Sequence, residues 1–186
     1  IRPGEGPKVW KEDQFPEQIG RYWNLHVIHE DDRRIHPMSS QVFGHFTQKY
    51  FGGGGLNYKL EGPNSQVVCS RYGFDLVFHQ TVKAQPGQNY TFTGKLVTYY
   101  RGTKPPPVHN KIFYRVGIDP TGGSDYSSTN VVWSERDGTD NEWRGPTITA
   151  LAQAEAITVY IRLENTEKDV GSTDLNVIHL DDFKLD

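Results

Sequence analysis

One cysteine, Cys69, and one methionine are present among 186 residues. A lone cysteine forms no internal disulfide, so packing alone must hold the fold. Cys69 lies in the alternating run QVVCSRY, where a buried, inert thiol is the expectation, and it leaves the redox compartment open. Long apolar runs are also missing: nothing approaches the roughly 20 residues needed to span a bilayer, so no membrane span is expected. A basic excess is missing too. With 20 Lys and Arg against 23 Asp and Glu, the formal net charge is −3, which argues against a nucleic-acid partner. Helical patterning is scarce, and only Thr149 to Ala156 has room for a helical turn. The first residue is Ile1, and a processed product or an excised module is the expectation.

What the chain does have is 19 Gly, 11 Pro, 10 Tyr, 9 Phe and 4 Trp, a profile that favours short strands and many turns. Residues 1–20 are polar and interrupted by Pro3, Pro7 and Pro16, which predicts an extended N-terminal arm. Residues 21–186 are expected to form one domain. RYWNLHVIH from Arg21 predicts the first strand, and VFGHFTQKY from Val42 to Tyr50 predicts another. Gly52 to Gly55 has no Lys-Ser/Thr after it and no helix pattern, so it reads as a hairpin loop and not a phosphate cradle. Turns are expected at Gly62-Pro63-Asn64, near Gly73 and at Pro86-Gly87.

Three later runs have a period of two. In the first, Tyr90, Phe92, Leu96 and Tyr100 alternate with Thr91, Thr93, Lys95, Val97, Tyr99 and Arg101. In the second, Ile112, Tyr114, Val116 and Ile118 alternate with Lys111, Phe113, Arg115 and Gly117. In the third, Ile157, Val159, Ile161 and Leu163 alternate with Thr158, Tyr160, Arg162 and Glu164. Side chains on a strand point alternately to opposite faces, so each run has one core face and one mixed, polar face. Between the last two runs, Gly117 to Ser134 reads strand, long structured turn, strand, with Tyr126 and Trp133 at its edges. LNVIHLDDFKLD predicts a closing strand. Roughly ten strands with frequent turns imply an all-β fold, an antiparallel β-sandwich, in which each apolar face finds its partner in the opposing sheet.

The order of motifs matters further. SQVV at 65–68 precedes FHQTVKAQPGQNYTFTGKLV, and YRVGIDPTGG, NVVWS, EWRGPTITALAQAEAITVYIRLEN and HLDDFKLD follow. This succession resembles the jelly-roll, galactose-binding-like carbohydrate-binding modules of the family 4/9/16/22 group, over about residues 60–186. The resemblance implies a jelly-roll sandwich, a secreted or extracellular setting, a carbohydrate polymer as partner and an attached enzyme, while the N-terminal arm suits packing on neighbouring subunits. It also implies a structural calcium on the last strand at Asp181 or Asp182, Asp181 being preferred. The N-terminal Asn-Pro-x-Phe-Glu start of such modules has no clear counterpart, Asp13-Gln14-Phe15-Pro16-Glu17 being a poor match.

The residues themselves point the same way. Pyranose C–H faces stack on rings, and sugar hydroxyls need planar donors and acceptors. The polar parities supply both, so Tyr99, Arg101, Phe113, Arg115, Tyr160 and Arg162 are candidate ligand contacts, together with the loop aromatics Tyr126, Trp133, Tyr72 and Phe74. Each has a bland reading as well. Tyr and Arg on an exposed sheet face often serve as cross-strand pairs, and Trp133 can pack beneath its own loop. Trp23 and Trp143 read as core. Histidines three apart, such as His26 and His29, face opposite ways on a strand, which disfavours zinc. Glu135, Glu142, Glu155 and Glu164 form no paired-carboxylate strand motif, and no Gly-x-Ser-x-Gly elbow exists, so no catalysis is expected. The reading is a non-catalytic carbohydrate-binding module. The alternative is a structural or adhesive β-sandwich domain of a surface, appendage or particle assembly without sugar binding.

Overall fold

The structure, a computed structural model, describes residues 8–10, 22–30, 36–39, 66–70, 73–99, 112–165 and 176–186. These contain eleven strands: β1 (Lys8–Trp10), β2 (Asn24–Glu30), β3 (His36–Ser39), β4 (Gln66–Ser70), β5 (Phe74–Lys83), β6 (Asn89–Tyr99), β7 (Ile112–Asp119), β8 (Val132–Trp133), β9 (Thr147–Leu151), β10 (Ala156–Asn165) and β11 (Asn176–Leu185). The expected strand at 42–50 and the glycine run at 52–55 lie outside the described residues. The room for a helical turn at 149–156 is not used: β9 runs through Leu151 and β10 starts at Ala156. Part of the expected arm, Lys8–Trp10, is an edge strand paired with Leu25 to Val27 of β2.

Two antiparallel sheets result. One has the order β1-β2-β5-β10-β7-β8 and the other β3-β4-β11-β6-β9. From β5 onward the chain changes sheet repeatedly, which is how a jelly roll is wound. The period of two decides what faces inward. Leu76, Phe78, Val116, Ile118, Ile161 and Leu163 from the first sheet meet Val68, Phe92, Leu96, Ile178 and Leu180 from the second, all buried in one core. Trp23 closes one part of this core, its ring 6.4 Å from Phe92 and 6.3 Å from Phe183. Phe74, a candidate loop aromatic in the sequence, is instead a core residue on β5. Phe183 lies so close over Gly94 that a Cβ there would collide with its ring. The pairing of β11 with β6 shifts register between Asp181 and Lys184. At this bulge Asp182 takes φ = 50°, and its amide donates to Asp181 Oδ1 at 2.8 Å.

Candidate functional site

The outer face of the first sheet gathers chemistry in rows set by the strand register. Trp133 stands opposite Gly117, Gly117 opposite Tyr160, and Tyr160 opposite His79. In the next row Arg115 stands opposite Arg162, Arg162 opposite Val77, and Val77 opposite His26. Beyond it lie Phe113, Glu164 and Asp75. Gly117 is what lets Trp133 lie down on the sheet: a Cβ there would sit 2.7 Å from the indole Cε3. The indole reaches Tyr160 across that gap, with ring centroids 5.7 Å apart.

The loop after β7 folds back over part of this face. Asp119 Oδ1 starts it by accepting from the amide and the hydroxyl of Thr121, at 2.8 and 2.6 Å, an Asx-type turn. Gly122 follows at φ = 76°, in the left-handed region, with no room for a side chain against the Ala156 carbonyl. Asp125 Oδ1 repeats the device by accepting from the amide and hydroxyl of Ser127. The Tyr160 hydroxyl donates to the Gly123 carbonyl at 2.6 Å and ties the loop down. Val131 packs on Val77 and Tyr160, with Ile28, Tyr126 and Trp133 around them. This is a small apolar cluster on the far side of the sheet from the main core. Tyr160 is 0 % exposed, and burial, together with Asp119 and Asp125, pushes its phenol above the usual tyrosine range.

Beneath Tyr126 lies a histidine pair that the sequence did not signal. His26 and His79 meet Nε2 to Nε2 at 2.7 Å, one donating to the other. Tyr126 meets His26 edge-on at 5.9 Å, and Tyr160 stacks on His79 at 6.0 Å. Both Nδ1 atoms are buried without a hydrogen-bond partner. Burial, with His26 as a lesser cause, lowers His79 to about 4, and burial also lowers His26.

Beside the loop, the face carries a partly buried ionic network next to an indole. Arg162 grips Asp75 bidentately, Nε to Oδ1 at 2.9 Å and Nη2 to Oδ2 at 2.6 Å. Glu164 pairs with Arg136 at 3.1 Å and with Arg162 at 3.6 Å. Arg136 lies over the Phe113 ring at 3.9 Å, and Arg115 over the Trp133 ring at 4.4 Å. Burial first, and then Arg162, push the Arg115 guanidinium below its ordinary range.

Of the candidates read from the sequence, Phe113, Arg115, Tyr126, Trp133, Tyr160 and Arg162 share this face. Tyr126 and Trp133 are half-buried, and Tyr160 is covered by the loop. Tyr99 does not join them. It lies on β6 in the other sheet, 2 % exposed, edge-on to His179 at 5.9 Å. Arg101 and Tyr72 lie outside the described residues. His26, His79, Asp75 and Arg136 join the face without having been singled out for it. The alternation of Asp75, Val77 and His79 against Phe74, Leu76 and Phe78 is the signal that carries the β5 members. Among the described residues, no group of three or more His, Cys, Asp or Glu is placed to hold a metal ion. Asp181 is buried, its Oδ1 accepting from the Asp182 amide at 2.8 Å, while Asp182 is ion-paired with Lys184 at 2.7 Å.

No protein-family model matches the chain, and no curated protein matches it by sequence. Solved structures do match. The structure of TmCBM61 in complex with beta-1,4-galactotriose superposes with a TM-score of 0.58 at 13 % identity, over 95 % of this chain and 96 % of that one. Bacteriophage CBA120 tailspike protein 4, enzymatically active domain, superposes at 0.54 and 10 % identity; this chain covers 90 % of itself there but only 20 % of the tailspike. The chain thus has the antiparallel jelly-roll sandwich fold of carbohydrate-binding modules. Among the described residues no helix is long and apolar enough to cross a membrane.

Proposed function

We propose that this chain is a non-catalytic carbohydrate-binding module whose ligand lies on the outer face of the first sheet, beside the loop at 120–131. The observation that carries the reading is the half-buried Trp133 indole, laid on Gly117 with the Arg115 guanidinium over its ring, in rows that continue to Arg162 and then to Asp75 and Glu164. An indole and the guanidinium over it stand near planar donors and acceptors already held in place by one another, which limits the ordering cost of binding. The fold shared with TmCBM61, whose structure holds a galactotriose, supports the reading. The protein works outside the cell, and it holds an attached enzyme or a cell surface near a polysaccharide.

Asp181, were backbone carbonyls to join it, is the residue that would hold a structural calcium; Asp182 is already paired with Lys184. That ion would brace the bulge and take no part in sugar binding. A glycan array with wild type and Trp133→Ala tests the main reading. Binding to at least one glycan, lost in the variant while the fold survives, is the expected result. Wild type that binds nothing returns the chain to the structural or adhesive reading, and release of reducing ends would make it an enzyme.

A further inference from the structure

We infer that Arg115 is an anion receptor, so that the glycan taken by this face carries a carboxylate or a sulfate ester. The inference rests on the glycan-binding reading above. Arg115 and Arg162 stand directly opposite each other across β7 and β10, and like charges so placed oppose sheet formation. The carboxylates at hand do not resolve that conflict for Arg115. Asp75 is held by Arg162 through two hydrogen bonds, and Glu164 by Arg136 at 3.1 Å and Arg162 at 3.6 Å. Arg115 makes no ion pair among the described residues, and its Nε is buried with no hydrogen-bond partner.

The position suits recognition. The guanidinium lies 4.4 Å over the Trp133 ring, which helps hold it in place, and with Nε buried its terminal Nη groups are the donors left for an oxyanion. Within the network around Arg115, three guanidiniums (Arg115, Arg136 and Arg162) stand against two carboxylates, Asp75 and Glu164, while Asp119 and Asp125 lie in the loop beside Tyr160. The whole chain carries a formal net charge of −3. A diffuse attraction to polyanions is therefore the wrong sign, and acid recognition must be local. A neutral sugar leaves the opposed arginine pair as it is. An acid group at Arg115 supplies the missing counter-charge beside the Trp133 indole.

The test uses affinity gels at 0.15 M salt, an ionic strength that screens exposed long-range charge, with two matched pairs of polymers. Polygalacturonate is compared with its fully methyl-esterified form, and λ-carrageenan with its desulfated form. The full chain is expected to bind one acidic polymer about tenfold or more tighter than its neutral counterpart, the worth of one charge-assisted hydrogen bond. The pair that responds tells carboxylate from sulfate. Arg115→Gln should lose that preference and Arg115→Lys keep part of it, with thermal melts confirming that both variants fold. Equal binding within both pairs, or a preference that survives Arg115→Gln, overturns the inference while leaving sugar binding in place. Wild type that binds none of these polymers but does bind a neutral glycan on the array also overturns it. Failure on every glycan overturns both readings together.

Discussion

Tyr160→Phe removes one oxygen and nothing else. In the protein that oxygen belongs to a hydroxyl 2.6 Å from the Gly123 carbonyl, on a side chain that is 0 % exposed. The ring still fills its place between His79 and Trp133, so no cavity opens. What is lost is a single hydrogen bond, worth about 1 to 1.5 kcal/mol net. Gly123 is itself only half-buried, and the hydrogen bond alone is counted, without the larger penalty of a dry orphan. For a chain of this size each kcal/mol moves the melting temperature by about 2 to 4 °C. A fall of about 2 to 6 °C is therefore expected by circular dichroism. The same bond ties the loop to the sheet, so amide exchange should quicken from Gly122 to Val131 and stay unchanged in β5 and β11. A melting temperature within a degree of wild type, with unchanged exchange in the loop, would refute the claim that this hydroxyl anchors it.

Gly117→Ala places a Cβ 2.7 Å from the Trp133 indole; the ring must lift, and glycan binding should weaken about tenfold while overpacking costs about 1 to 3 kcal/mol. Unchanged binding on the array would remove Trp133 from the site. Acid should destabilise the protein. His79 and His179 fall from 6.5 to about 4, both chiefly through burial, and His26 is lowered too. Between those pH values the unfolded chain binds more protons than the folded one, so stability is lost as pH drops from about 6.5 towards 4 and levels off below it; melts from pH 7.5 to 3.5 read this, and a flat profile contradicts it. If Asp181 holds calcium, chelation should cost about 2.7 kcal/mol at a hundredfold excess of ion over Kd, and Asp181→Asn should make the melt indifferent to the chelator. A wild-type melt that ignores chelator rules the ion out.

The sandwich was legible because alternation is a local property. Ile112, Tyr114, Val116 and Ile118 are inward, as their spacing requires, and so are Ile157, Val159, Ile161 and Leu163. Other features have no local signature. Phe74 read as a loop aromatic because Gly73 precedes it, yet it is the first core residue of β5. Asp182 adopts φ = 50° at a bulge that depends on how β11 meets β6, a relation between residues far apart in the chain. Lys8–Trp10 looked like part of an arm because three residues are too few to show a period, and the strand exists by pairing with β2.

The binding face exposes the same limit more sharply. Alternation says which side chains leave the core, but not on which side of the molecule they emerge. In a jelly roll that distinction is decisive, since β6, β9 and β11 belong to one sheet and β5, β7, β8 and β10 to the other. The outward residues of β6 and β7 therefore stand on opposite surfaces, which is why Tyr99 is separated from Phe113 and Arg115 although all three have the polar parity. Register adds the rest. Arg115 and Arg162 lie in two runs that each alternate acceptably, and neither run hints that the two charges will be placed face to face. Only the ladder between β7 and β10 creates that opposition, and only the capture of Asp75 and Glu164 by other arginines leaves it unresolved at Arg115. The strongest chemical feature of the face thus arises from pairing, one level above anything a single strand can encode.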